Sequence, residues 1–407
     1  MPSPQKHRMR VVFLTGTRAD FGKIKSLISA LVDDRDRFDV HVFATGMHME
    51  PKYGFTVQEI QKCGFPNIYT YINQASQGVL DRTLANTVLG FGDYVRLIEP
   101  DLIVVHGDRS EALAGALVGS INNILVAHVE GGELSGTIDE LIRHAVSKMS
   151  HLHFVSNEAA ATRLLQLGED PGTIHVIGSP DIDILTSPFL PSLDWVKAHY
   201  DIPFDEFGVL AFHPVTTALP TLQEETVALL QAVEDSNIPY VAIYPNSDPG
   251  SEIILAEYER AFAKNPRVRV FPSVRFEAML VLLQEARLVL GNSSMGICEA
   301  PYYGTPTVNV GTRQQGRTKN PHILHAAANR HEILRAIRCA LELRQIPKSR
   351  TERGQGDSHL RFLDVLSEPS LYQTPVQKRF HDLPADAVKS DRPGPPSIRP
   401  QRKRSAA

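Results

Sequence analysis

Carboxylates standing just past the ends of predicted strands are the residues of this chain best suited to chemistry. Asp108 lies in HGDR, Glu130 and Glu133 in HVEGGE, and Asp139 and Glu140 in GTIDE. Asp108 and Glu130 each follow a strand of the same predicted sheet, so they converge on one region. Carboxylates that share a cleft raise one another's pKa, which lets one act as acid while another acts as base. Singly, each is an ordinary helix cap or ion-pair partner; the grouping at strand ends points to proton transfer.

A second set suits an anion. In TGTRADFGK (15–23), Gly16 permits a tight turn after a strand, and Arg18 and Lys23 lie at a helix start. Free backbone N–H groups and the helix dipole favour negative charge there, and arginine grips phosphate through paired hydrogen bonds. The segment is neither GxGxxG nor a Walker loop, and an ordinary βα turn has the same look. In GNSSMGICEAPYYGTP (291–306) a strand ends at Gly291, and Ser293 and Ser294 open a helix. Their hydroxyls and the helix N–H groups form a pyrophosphate cradle, with Glu299 one to two turns on to accept the hydroxyls of a ribose. A capping serine before a solvated glutamate is common. Small residues, paired serines and the glutamate together favour a nucleotide. Arg313, in VGTRQQGR after the next strand, is placed to neutralise the same diphosphate.

Histidines are frequent, but the HGD, HVE and HLH spacings around His106, His128, His151 and His153 match no zinc motif such as HExxH, so no metal site is expected. His151 and His153 read as buried, hydrogen-bonded residues. His213, in FHPVTT at a strand end, is the best placed to stabilise charge, and His48, in TGMH, is the next. Cys298 has no base beside it and reads as packing.

These residues need strands and helices in alternation to hold them. Residues 10–14 (RVVFL) form a short β-branched run, as a buried parallel strand requires, and a helical pattern follows from about Gly22 to Val32. Residues 40–44, 102–105, 124–127, 153–155 and 175–177 continue the series. The Pro-, Ser- and Asp-rich stretch 178–194 reads as a domain junction. A second series runs through strands at 209–212, 240–244, 268–271 and 288–290, closing with 307–310, and a helix at 221–235. Such alternation implies right-handed βαβ units. The expected fold is α/β, with two Rossmann-like domains (9–185 and 186–373) facing across a cleft. Ligands of open parallel sheets bind at the carboxyl ends of strands, where the polar clusters lie.

Composition narrows the function. A 407-residue chain suits two or three domains, and a net charge of −4 calls for neither nucleic acid nor an anionic membrane. Three scattered cysteines argue against a disulfide framework and suit a reducing cytoplasm. No apolar run is long enough to span a bilayer. From about Thr374 the chain turns Pro-, Lys- and Arg-rich, and 384–407 is expected to be a disordered, solvated tail rather than a nucleic-acid arm.

Together the motifs TGTRADFGKIKSL, TGMHM, HGDRSEALAGA, HVEGGELSGTIDELIRHAVSK, IGSPDID, FHPVTT, YPNSDPG, FPSVRFE, GNSSMGICEAP and GTRQQGR resemble the hydrolysing UDP-N-acetylglucosamine 2-epimerases of sialic acid synthesis. The resemblance spans roughly residues 9 to 345, with QKRFHDL (377–383) a further possible match. It implies the glycosyltransferase-B architecture and conversion of UDP-GlcNAc to N-acetylmannosamine and UDP without a cofactor. Carried over residue by residue, the catalytic acids fall on Asp108, Glu130 and Asp139, and the catalytic-site histidine on His213. Nucleotide contacts fall on Arg18, Lys23, Arg109, Asn246, Asp248, Ser273, Ser293, Ser294, Glu299 and Arg313. A homo-oligomer, dimer or tetramer, is also expected. Four other readings stand beside this one. They are the same chemistry on a GDP- or UDP-linked diacetylbacillosamine, a non-hydrolysing epimerase, a glycosyltransferase of the same fold, and a catalytically silent nucleotide-sugar sensor. The acid cluster argues against the last two.

Overall fold

The computed structural model describes residues 8–74, 79–135, 138–317, 320, 322–343 and 354–383. The expected disordered tail, 384–407, lies outside them. Seven parallel strands form the first sheet: β1 (Met9–Thr15), β2 (Phe38–Ala44), β3 (Asn67–Thr70), β4 (Leu102–His106), β5 (Leu125–Val129), β6 (Leu152–Val155) and β7 (Ile174–Val176). Their order is β3-β2-β1-β4-β5-β6-β7. Six more form the second: β8 (Gly208–Ala211), β9 (Tyr240–Ile243), β10 (Val268–Phe271), β11 (Val289–Gly291), β12 (Thr307–Val310) and β13 (Ile323–Ala326), ordered β10-β9-β8-β11-β12-β13. Both are doubly wound, and strand order reverses between β1 and β4 and between β8 and β11, where such sheets open a ligand crevice.

Runs with no polar face become central strands because helices cover both sides. In β1, Val11 and Phe13 pack in one core while Val12 and Leu14 pack in another on the opposite face. Leu210 and Val209 of β8 divide in the same way. The edge strands β3 and β13 were not among the expected strands, and 307–310 does not close the second set. NIYT and ILHA are short, and neither is wholly buried, so they lack the apolar run that marks a central strand.

The first helix begins earlier than its apolar periodicity indicates, at Arg18 and not Gly22, because Thr17 and Asp20 form a capping box. Within the expected junction, the helix Pro180–Leu185 packs against the helix Arg18–Asp33. The chain also returns. Phe362, Leu366 and Leu371, expected with the second domain, lie in the core of the first, with the Phe362 ring 4.6 Å from that of Phe154. No described helix is long and apolar enough to cross a membrane.

Candidate active site

A cleft of about 290 Å³ lies between the carboxyl ends of the two sheets. Its lining from the first sheet includes Arg18, Lys23, His106, Asp108, Arg109, Glu130, Asp139 and Arg143; from the second it includes His213, Asn246, Ser273, Ser293, Ser294, Glu299 and Arg313. The predicted site residues therefore meet in one place, with two exceptions.

His48 does not line the cleft. It is fully buried, with Nδ1 2.7 Å from Thr56 Oγ1 and Nε2 3.1 Å from Thr15 Oγ1. Burial pushes its pKa down to about 4, so it stays neutral and holds the 15–20 turn from beneath. Asp248 is the second exception. It sits behind the cleft wall and accepts a 3.0 Å bond from Arg109 Nη1 and another from the Asn246 amide.

The three acids differ in their surroundings. Asp108 follows β4 and is gripped by Arg143, with Ser135 Oγ donating from 3.1 Å. Burial alone would raise its pKa, but Arg143, Arg317, Arg313 and Arg109 outweigh that and hold it at about 2. Asp139 opens the helix Ile138–Met149 and pairs with Arg313 of the second sheet at 3.1 Å. Burial and the charge of Asp108 nevertheless push its pKa up. Two neighbouring carboxylates driven in opposite directions suit different roles, Asp108 a fixed negative charge and Asp139 a group that can carry a proton. Glu130 follows β5 with φ of 60°, in the left-handed region that residues other than glycine uncommonly adopt. Its carboxylate meets His106 Nε2 at 3.0 Å and the Ser179 hydroxyl.

Lys23, expected as a phosphate contact, is already engaged. Its ammonium lies 3.2 Å from Glu299, 3.5 Å from Asp181 and 3.8 Å from Glu130. Burial opposes its charge, but these carboxylates outweigh burial and raise its pKa. Arg18 is better disposed toward a ligand. Nη2 binds Glu59 at 2.7 Å, while buried Nε and Nη1 have no hydrogen-bond partner among the described residues.

On the second sheet, Asn292 ties β8 to β11. Its side chain accepts from the His213 backbone N–H at 2.7 Å and donates to the His213 carbonyl at 2.9 Å. His213 Nδ1 accepts from the Asn246 N–H at 3.0 Å, so a neutral ring carries its proton on Nε2. Burial, with Arg313 and Arg109 nearby, lowers its pKa to about 3, so the ring is a neutral donor at pH 7. Glycine is required at 291, where φ is 127° and a side chain would strike the Ala211 carbonyl. Ser293 and Ser294 precede only a four-residue helix, Met295–Cys298, so hydroxyls and the neighbouring Arg313 contribute more than a helix dipole.

Sequence reasoning passed over Arg143 and Asp181, and weighed His106 only as a metal ligand. Arg143 was detectable in IDELIR as an arginine four residues past Asp139, on the same helix face. His128, by contrast, is structural, bonded to Ser147 Oγ and the Gly107 carbonyl. His151 and His153 are buried and hydrogen-bonded, as expected.

In architecture the molecule is of the glycosyltransferase-B class. It is similar to the crystal structure of the Methanocaldococcus jannaschii UDP-GlcNAc 2-epimerase in complex with UDP-GlcNAc and UDP (TM-score 0.73, 22% identity, covering 88% of this chain and 99% of that one). It is likewise similar to a Neisseria meningitidis UDP-GlcNAc 2-epimerase bound to UDP-GlcNAc (TM-score 0.71, 17% identity, covering 88% and 99%). These likenesses speak for the fold.

Sequence goes further. A family model described as UDP-N-acetylglucosamine 2-epimerase matches residues 30–367. The UDP-N-acetylglucosamine 2-epimerase of Neisseria meningitidis serogroup B is 43% identical over 92% of this chain and 99% of its own length. The UDP-N,N'-diacetylbacillosamine 2-epimerase (hydrolyzing) of Legionella pneumophila is 32% identical over 91% and 98%. The chain belongs to the UDP-N-acetylglucosamine 2-epimerase family.

Proposed function

We propose that this enzyme hydrolyses UDP-GlcNAc with inversion at C2, releasing N-acetylmannosamine and UDP. The observation that carries this reading is that Asp108, Glu130 and Asp139 meet in one cleft opposite His213, Ser294 and Arg313. The 43% identity to the Neisseria serogroup B relative supports the substrate.

The C2 hydrogen of the substrate is not next to a carbonyl and is only weakly acidic. UDP departure must lead, leaving positive character at C1. Arg18 and Arg313 stabilise the charge developing on the diphosphate, and His213 adds a neutral Nε2–H donor. Asp108, held ionised by Arg143, orients the sugar and faces the positive centre. A carboxylate removes the C2 proton to give a 2-acetamidoglucal. Water then adds at C1 while an acid returns a proton to the other face of C2. Glu130 and Asp139 take these two proton transfers, and the raised pKa of Asp139 suits the acid. No hydride leaves the substrate, so no redox cofactor is required. A cytoplasmic location and a homo-oligomer accompany this reading.

The Legionella relative favours a second reading, the same chemistry on UDP-N,N'-diacetylbacillosamine. Incubation with each nucleotide sugar, followed by identification of the released sugar and nucleotide, tests both. Free N-acetylmannosamine with UDP supports the first, turnover restricted to the bacillosamine substrate supports the second, and UDP-ManNAc as product overturns hydrolysis. The reaction is expected to run at full rate in excess EDTA; loss of rate restored by zinc or magnesium contradicts that.

Arg313→Ala and Ser294→Ala are expected to raise KM, and Arg313→Ala also to lower kcat by about tenfold or more, since its contact strengthens as the leaving group gains charge. Steady-state kinetics at saturating substrate check this, and wild-type constants in both variants would remove the cradle.

A further inference from the structure

A buried charged cluster lies outside the cleft, at the far end of the acid-bearing helix. Glu169 is fully buried between His153 Nε2, at 2.9 Å, and the ammonium of Lys378. The same ammonium lies 3.2 Å from the Ser147 carbonyl, 2.9 Å from that of Lys148 and 2.5 Å from that of Ser150. These contacts cap the C-terminal end of Ile138–Met149, where the dipole is negative; the Ser147 carbonyl accepts the Ser150 N–H as well, at 3.1 Å.

Neighbouring contacts fasten the surrounding strap, 376–381. His151 Nδ1 accepts from the Val126 N–H, so Nε2 donates to the Val376 carbonyl at 3.0 Å, and the His381 N–H donates to the Gly168 carbonyl at 2.9 Å. Lys148, itself 3.1 Å from Glu169, stands 4.6 Å over the Phe380 ring.

That helix touches all three acids of the cleft. Asp139 opens it, and Arg143 grips the Asp108 carboxylate while Nη1 donates to the Glu130 backbone carbonyl at 2.7 Å. Lys378 and Asp139 sit at opposite ends, about 15 Å apart at the helical rise. A rigid helix fixed at its C-terminal end transmits a small slide or rotation to both Asp139 and Arg143. Pairing with Glu169, which His153 and Lys148 also contact, ties the lysine to the buried group beneath the helix end.

We propose that Lys378 is a positioning residue for the proposed reaction: by closing the C-terminal end of Ile138–Met149 it sets the register of Asp139 and Arg143 against the sugar. Substrate binding leans chiefly on the second sheet and on Arg18, so loss of the lysine reduces kcat while leaving KM in place.

The proposal rests on the epimerase reading, and its test separates the two. Lys378→Met, Lys378→Arg, a chain ending at Thr374 and a chain ending at Leu383 are compared with the full chain. Lys378→Met and the Thr374 truncation are expected to lower kcat about ten- to a hundredfold, since small misplacements of catalytic groups cost that much. KM and calorimetric UDP affinity stay within about twofold of the full chain. Lys378→Arg and the Leu383 truncation retain full kcat. Amide hydrogen exchange in 140–149 quickens in Lys378→Met and stays unchanged in the second sheet. Unchanged kcat in Lys378→Met overturns the proposal, as does a loss shared equally by kcat, UDP affinity and exchange throughout the chain. If the full chain releases no UDP from UDP-GlcNAc, the functional reading fails. Exchange then decides the strap alone: quickening confined to 140–149 supports it, and wild-type exchange there overturns it.

Discussion

Turnover of UDP-GlcNAc in heavy water is expected to yield N-acetylmannosamine carrying deuterium at C2. If UDP departs and a carboxylate takes the C2 proton, that proton is held on a group that exchanges with solvent before the other face of C2 is protonated. Glu130→Gln and Asp139→Asn are expected to lower kcat about a thousandfold, because an amide cannot relay the proton. Each replacement keeps nearly the volume of the acid, and a circular dichroism melt separates lost chemistry from lost folding. Added 2-acetamidoglucal should be hydrated to the manno sugar by the wild-type enzyme. Product that keeps its original C2 hydrogen would leave elimination without support. Release of N-acetylglucosamine would sink the epimerase reading and point to hydrolysis or glycosyl transfer.

The strands that position these acids were legible because a parallel strand buried on both faces has no polar side. VVF in β1 is fully buried, and so is IVV in β4. The edges were not legible, since NIYT and ILHA are covered less completely and so need no continuous apolar run. The return of the chain to the first domain was hidden for another reason. The apolar face of Ser358–Ser367 says that it packs, and not against which sheet.

Among the site residues, type and place in the fold were readable, and partners were not. The carboxylates after β4 and β5 converge because those strands are neighbours in the sheet and parallel neighbours end side by side. Which base each carboxylate finds depends on helix rotation and domain approach. Lys23 looked like a phosphate contact because it stands near a helix start, yet its ammonium faces Glu299 from the other domain. His48 looked like a site residue because it follows β2, but the 3-10 turn Gly46–Met49 points its ring down onto Thr15 and Thr56. Arg143, passed over in sequence, is central because its guanidinium spans two of the acids.

Removal of Arg143 is expected to have the largest effect on stability and activity together. Its side chain is 6% exposed and that of Asp108 22%, so Arg143→Met leaves a largely buried carboxylate with its closest counter-charge gone. Breaking such a pair costs about 3–5 kcal/mol at neutral pH. The sign of the pH dependence follows from Asp108. Its folded pKa, held at about 2, lies below the ordinary 3.8, so the ionised acid stabilises the fold above that ordinary value. A shift of this size corresponds to about 2 kcal/mol, lost as pH falls from about 5 toward 2. In Arg143→Met the largest opposing charge is gone and only Arg317, Arg313 and Arg109 still act against burial, so the Asp108 pKa rises from its wild-type value. Acidification toward the unfolded value near 3.8 then relieves part of the cost of the carboxylate that lost its partner, while the wild type begins to lose the contribution of its ionised pair. Urea denaturation at pH 7 and at pH 4 reads this directly. The wild-type advantage should shrink at the lower pH, because carboxylates common to both proteins cancel in the difference. At pH 7, under conditions where the variant stays folded, kcat should fall at least a hundredfold, since Asp108 and the Glu130 carbonyl lose the group that holds them. A stability gap that is the same at both pH values would show that Arg143 acts through packing and not through the charge of Asp108.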